Sequence, residues 1–122
     1  MKGRKKLINS FKYAFSGIFL SFKTERNMKI HFLVMFLVIV MGLLFKISTF
    51  EWIICILLFG LVISLELINT AIEKTVDLAM PKINENAKIA KDVSAGAVLI
   101  SAICSAIIGL LIFIPKIFWK EV

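Results

Sequence analysis

Residues 52–80 read Trp52-Ile-Ile-Cys55-Ile-Leu-Leu-Phe-Gly-Leu-Val-Ile-Ser64-Leu-Glu66-Leu-Ile-Asn69-Thr-Ala-Ile-Glu73-Lys-Thr-Val-Asp77-Leu-Ala-Met80. From Trp52 to Ser64 the run is apolar almost throughout, and no charge appears before Glu66. Since about 20 apolar residues of helix cross a hydrocarbon core, the stretch predicts a transmembrane helix. Its second half is polar in a regular way. At 100° per residue, Glu66, Asn69, Glu73 and Asp77 fall within an arc of about 80°. Trp52 marks an interface, as tryptophan commonly does. At 1.5 Å per residue, Glu66 lies about 21 Å and Glu73 about 31 Å along the axis from it. In a hydrocarbon core about 30 Å thick, Glu66 is expected inside the membrane, with Glu73 and Asp77 at the far boundary. An intramembrane carboxylate costs at least ~2.5 kcal/mol, which makes Glu66 a functional candidate. The plainer reading is a structural glutamate bonded to a neighbouring helix. For Glu73 and Asp77 alone a solvated face would serve.

The rest of the chain repeats the apolar theme. With 122 residues, 60% of them hydrophobic, and a mean hydropathy of +0.95, it is too apolar for a soluble domain, whose apolar share is roughly 45–50%. An all-α integral membrane fold of one domain, residues 1–122, is expected. Leu7, Ile8, Phe11, Ala14, Phe15, Ile18, Phe19 and Phe22 recur at helical spacing among basic residues. They predict an amphipathic surface helix over about 4–24. Transmembrane helices are expected over about 28–46, 51–80 and 89–119. Pro81 should stop the second, a polar loop from Lys82 to Lys91 should precede the apolar part of the third, and Pro115 and Trp119 should close it. A cleavable signal peptide is not expected, because the first long apolar run begins near Met28 with no small-residue cleavage site after it. Cys55 and Cys104 sit in apolar runs without metal spacing and read as buried hydrophobes.

The net charge of +7 is placed unevenly. Lys2, Arg4, Lys5, Lys6, Lys12, Lys23, Arg26 and Lys29 flank the first span, and Lys74, Lys82, Lys88 and Lys91 lie around the second connection. Only Lys46, Lys116 and Lys120 fall on the other side. This bias predicts a cytoplasmic N-terminus, an outer C-terminus and contact with anionic membrane lipids. No recognition motif accompanies the charge, so no nucleic-acid partner is expected. On the third span, Ala97, Ser101, Ser105 and Gly109 recur every four residues. Such a seam lets helices approach closely within one chain or between copies, and three helices alone poorly shield several intramembrane carboxylates. A homo-oligomer is therefore expected.

Two further charged segments converge on the level of Glu73. Glu25 precedes the first span, and Lys91-Asp92 precedes the third. Carboxylates from different segments suit a divalent cation with oxygen ligands, such as Mg²⁺, and lysines beside them suit phosphate oxygens. His31 reads as a polar residue at the headgroup level. No P-loop or protein-kinase glycine motif is present. A small proton or cation carrier would use the same carboxylates, although the outer half of the 52–80 helix offers it almost no polar groups.

Glu66-Leu-Ile-Asn69-Thr-Ala-Ile-Glu73-Lys-Thr-Val-Asp77 and Ala90-Lys91-Asp92-Val-Ser-Ala-Gly-Ala97-Val98-Leu99-Ile100 resemble the signature segments of the prokaryotic diacylglycerol kinase family. The resemblance covers nearly the whole chain. It implies a homotrimeric bundle in a bacterial inner membrane, with active sites shared between subunits, that phosphorylates a lipid alcohol using ATP and Mg²⁺. Glu66 would be the catalytic base and Asn69 would help hold the reacting groups. Glu25 and Glu73 would bind the metal, while Tyr13, Asp77, Lys91 and Asp92 would contact the nucleotide. Glu25-Arg-Asn-Met-Lys29-Ile-His31 is similar to the Gram-positive branch, whose members tend to be undecaprenol kinases. Undecaprenol is therefore the expected acceptor, with diacylglycerol the alternative.

Overall fold

A computed structural model describes residues 2–119; Lys120, used above for orientation, lies outside the described residues. Four helices follow one another: α1 (Lys2–Thr24), α2 (Arg26–Phe45), α3 (Thr49–Ala79) and α4 (Glu85–Phe118). The last three are long and apolar enough to cross a membrane. Each turns many large apolar side chains outward, among them Leu33, Phe36, Leu57, Ile100 and Leu111. Surfaces of that kind are stable against lipid, where apolar side chains meet no water.

The joints explain the path of the chain. Between α1 and α2 only Glu25 leaves helical geometry, with φ −102° and ψ 120°. Met28 is fully buried beneath this elbow, and Phe22 meets Phe32 edge to face with ring centroids 5.2 Å apart. Between α2 and α3 the reversal is tight. Lys46 takes the left-handed conformation at φ 52°, and the N–H groups of Lys46 and Ile47 both reach the Gly42 carbonyl. Ser48 then opens α3 with a capping box: Glu51 N–H donates to Ser48 Oγ at 3.2 Å, and Ser48 N–H donates to Glu51 Oε1 at 2.9 Å. These bonds satisfy amide groups that the first turn of a helix leaves unpaired.

The closed core of the molecule sits at this turn. Ile47, Cys55, Ile112 and Phe113 are buried together, with Met41, Phe45 and Trp52 packed around them. Trp52 packs against the neighbouring helix. Its ring lies over Gly42, where an added Cβ would come within 2.6 Å of Cη2. Only glycine lets α2 pass so near the indole. Lys116 of α4 donates to Glu51 Oε2 at 2.6 Å and ties that helix into the same end.

One feature of α4 departs from the sequence expectation. It begins at Glu85, inside the stretch read as a loop, because the Asn84 side chain accepts from the Ala87 N–H at 3.1 Å and caps the helix there. At its other end it continues through Pro115 to Phe118, close to the expected end at about 119. A proline removes one backbone donor without ending a helix when its neighbours compensate. Here the carbonyl left without its amide is that of Leu111, while the next turn still closes with the Trp119 N–H on the Pro115 carbonyl. Cys104, expected to be buried, faces outward from the single chain, whereas Cys55 is buried as expected. The small-residue seam is only partly used within the chain: Ser101 is buried, while an added Cβ on Gly109 would meet nothing within 4 Å.

Candidate functional site

The polar stripe of α3 occupies the half of the molecule away from that turn. Burial falls along it, from Glu66 at 2% exposed and Asn69 at 5%, through half-buried Glu73, to exposed Asp77. The helix thus carries one line of polar groups from the interior to the surface. α4 packs along α3 more extensively than any other pair of helices, and α2 covers part of the same side. What these helices leave open is a cleft of about 500 Å³. Glu66 and Asn69 lie on its α3 wall, Asn27 and His31 on its α2 wall, and Asp92 and Gly96 on its α4 wall. Ile30, Val98, Leu99 and Ala102 make the remaining lining apolar.

Glu66 Oε2 is the unusual atom here. It is buried and has no hydrogen-bond partner. A buried oxygen left unpaired carries a desolvation penalty of about 1–3 kcal/mol, more when charged. His31 Nε2 stands 3.6 Å away, beyond hydrogen-bond distance but close enough for an ion pair when the imidazole is protonated. Glu73 and Glu25 also lie within electrostatic reach of this carboxylate. The sequence alone marks His31 only as a polar residue at the headgroup level. Its meeting with Glu66 depends on how α2 and α3 dock, which periodicity on either helix does not reveal.

Asn69 is bonded on both sides. Ser94 of α4 donates from Oγ to Asn69 Oδ1 at 2.6 Å, and Asn69 Nδ2 donates to Glu73 Oε1 at 3.2 Å. Glu25 stands at the N-cap of α2, yet its side chain makes no capping bond and remains available. The donor set of Glu25 and Glu73 is hard oxygen only, which fits Mg²⁺. Among the described residues no three acidic, histidine or cysteine side chains converge as a cage. Mg²⁺ commonly takes one or two carboxylates and completes its shell with phosphate oxygens and water.

The charged residues at the helix tips are paired. Lys91 of α4 forms an ion pair with Asp77 of α3, and Lys88 reaches Asp92 one turn along α4 at 2.6 Å. Lys91, Asp77 and Asp92 were each expected to contact a nucleotide; Lys88 was not. Tyr13 is placed elsewhere. It lines a second groove of about 340 Å³, between α1 and α3, together with Ser21, Thr70 and Lys74. Within one chain, Tyr13 and Glu66 therefore open onto different grooves. The arrangement offers a buried carboxylate oxygen without a hydrogen bond beside a largely apolar cleft, with carboxylates and cations toward its surface end.

Residues 12–113 match the family described as prokaryotic diacylglycerol kinase. The undecaprenol kinase of Bacillus subtilis (strain 168) is 48% identical over 112 residues, which are 92% of this chain and 91% of that protein. The diacylglycerol kinase of Synechocystis sp. (strain PCC 6803) is 40% identical over 112 residues, 91% of this chain and 64% of that longer protein.

Proposed function

The chain belongs to the prokaryotic diacylglycerol kinase family, a family of lipid kinases, and on that premise we propose that it transfers the γ-phosphoryl group of ATP to undecaprenol at the cytoplasmic face of a bacterial inner membrane. The observation that carries the chemistry is the unpartnered Oε2 of Glu66 in the wall of the cleft. A lipid alcohol enters with its tail along the apolar lining and its hydroxyl toward that oxygen. Glu66 accepts the hydroxyl proton as the alkoxide oxygen attacks the γ-phosphorus in line, and the bond to the ADP oxygen breaks. Placing base and acceptor in one cleft supplies much of the advantage, because the reacting groups arrive already oriented.

Glu25 and Glu73 would hold Mg²⁺, which when bound neutralises charge on the phosphates. Asn69 fixes one oxygen of Glu73 and borders the reacting groups. Lys91 and Asp92, at the surface end of the stripe with Asp77, would contact the nucleotide, and Tyr13 would contact it from α1. In one chain Tyr13 faces a different groove from Glu66; a site shared between subunits of a homotrimer would reunite them. The partly unused small-residue seam of α4 supports the same assembly. α1, with Leu7, Phe11, Phe15 and Phe19 exposed and basic residues between them, would lie in the interface as an amphipathic helix. The lysine and arginine bias supports a cytoplasmic N-terminus and an outer C-terminus.

Undecaprenol is the proposed acceptor because the relative at 48% identity bears that name. The apolar lining also suits a single tail without ester carbonyls. The test is transfer of labelled γ-phosphate from ATP to undecaprenol and to diacylglycerol at equal mole fraction in one detergent. A higher kcat/KM for undecaprenol is expected. A tenfold preference for diacylglycerol would reassign the acceptor, and no transfer to either would overturn the reading.

A further inference from the structure

Ser94 of α4 belongs to neither the stripe of α3 nor the ion pairs at the helix tips. It is only 8% exposed, and its hydroxyl crosses the α3–α4 contact to reach Asn69 Oδ1 at 2.6 Å. Asn69 in turn donates to Glu73 Oε1 at 3.2 Å. The chemistry of the amide couples these two bonds. An ionised carboxylate only accepts, so Asn69 must show Glu73 its NH₂ group and show α4 its oxygen. A hydroxyl at position 94 answers that oxygen. An apolar side chain would leave it buried and unpaired, and would remove what keeps the amide from turning over. Ser94 has one proton and two acceptors in reach, Asn69 Oδ1 at 2.6 Å and the Lys91 carbonyl at 3.0 Å. The shorter contact is the one between helices.

We infer that Ser94 is a positioning residue for the metal carboxylate: through Asn69 it holds Glu73 in the orientation that receives the divalent cation. The inference rests on the reading of Glu73 as a Mg²⁺ ligand. Glu73 is half-buried on the polar stripe, where a glutamate with no partner would sample several rotamers. Binding one of its oxygens to Asn69 leaves the other for the cation without a search. Asp77 and Lys91 pair farther out along the same two helices, so the register that brings Ser94 to Asn69 is held from a second point.

The experiment compares Ser94→Ala, Ser94→Thr, Ser101→Ala and Glu73→Gln in the full chain, purified in detergent. Mn²⁺ affinity is read by electron paramagnetic resonance with a non-hydrolysable ATP analogue, and the Mg²⁺ requirement and the lipid KM are read by turnover. Ser94→Ala should bind Mn²⁺ about fivefold more weakly, the loss expected for one hydrogen bond of ordinary strength. Its Mg²⁺ requirement should rise in step while the lipid KM stays put. Ser94→Thr keeps a hydroxyl and should remain near the parent. Ser101 is equally buried, but its hydroxyl bonds only within α4, to the Val98 carbonyl at 2.8 Å, so Ser101→Ala should not move the Mn²⁺ affinity. Parental Mn²⁺ affinity in Ser94→Ala, with Glu73→Gln impaired, would overturn the inference and leave the metal reading standing. Equal losses in Ser94→Ala and Ser101→Ala would make the effect structural and also overturn it. Parental affinity in Glu73→Gln would bring down the metal reading and the inference together.

Discussion

Two glutamates on α3, one at its first turn and one just past its middle, live under opposite conditions. Glu51, at the α2–α3 turn, has both oxygens occupied: Oε1 accepts from the Ser48 N–H at 2.9 Å and Oε2 from Lys116 at 2.6 Å. Around it the core is closed, with Trp52 lying on Gly42 and Phe45 meeting Phe113 at 6.3 Å. Glu66 is more deeply buried than Glu51, yet its Oε2 has no hydrogen-bond partner and it borders an open cleft. One carboxylate is bonded the way a structural group is bonded. The other is buried with one oxygen lacking a hydrogen bond and only His31, at 3.6 Å, nearby to offset its charge, a state that a fold keeps only when packing elsewhere offsets it. The contrast separates an end that holds the helices together from an end that offers groups to ligands.

The largest effect should come from Glu66→Gln. The amide is nearly isosteric but cannot accept the lipid hydroxyl's proton, so labelled phosphate transfer should fall by about 100-fold or more, the range for a lost general base. Activity within a few-fold of the parent would make the two glutamates alike and end the comparison. Next is Gly42→Ala at the closed end. A methyl group 2.6 Å from the Trp52 ring must displace the ring or the helix, at about 1–3 kcal/mol. Thermal unfolding in detergent should show that loss, while the activity of the folded fraction stays near the parent. Lys116→Met should be milder. The ion pair with Glu51 is partly exposed, and its removal should cost about 1 kcal/mol at most and leave turnover untouched. A drop in turnover from either closed-end variant would show that the two ends are mechanically coupled.

Much of this division could be read from the chain alone, for identifiable reasons. A polar stripe on one helix is a matter of 100° per residue, so Glu66, Asn69, Glu73 and Asp77 were placed together by spacing. Hydropathy likewise marked the three long apolar helices. Contacts between helices were not legible. The approach of His31 to Glu66 and of Ser94 to Asn69 is set by how α2 and α4 dock on α3, and no periodicity within one helix encodes it. The early start of α4 was in principle readable, since Asn84 is a strong capping residue followed by an acidic first turn. It was obscured by the polar character of residues 82–91. The contact of Trp52 with Gly42 was likewise hidden, because it joins two helices.

The central claim is that Glu66 is kept for chemistry at the expense of stability, and thermal unfolding of Glu66→Met in detergent tests it directly. Methionine has similar length, fills the same space and needs no partner for a buried oxygen. The account predicts a variant at least as stable as the parent, and up to about 1–3 kcal/mol more stable, with phosphate transfer lost. A clear loss of stability, comparable to that of Gly42→Ala, would show instead that Glu66 holds the helices together, and would contradict the assignment of this end of the molecule to function.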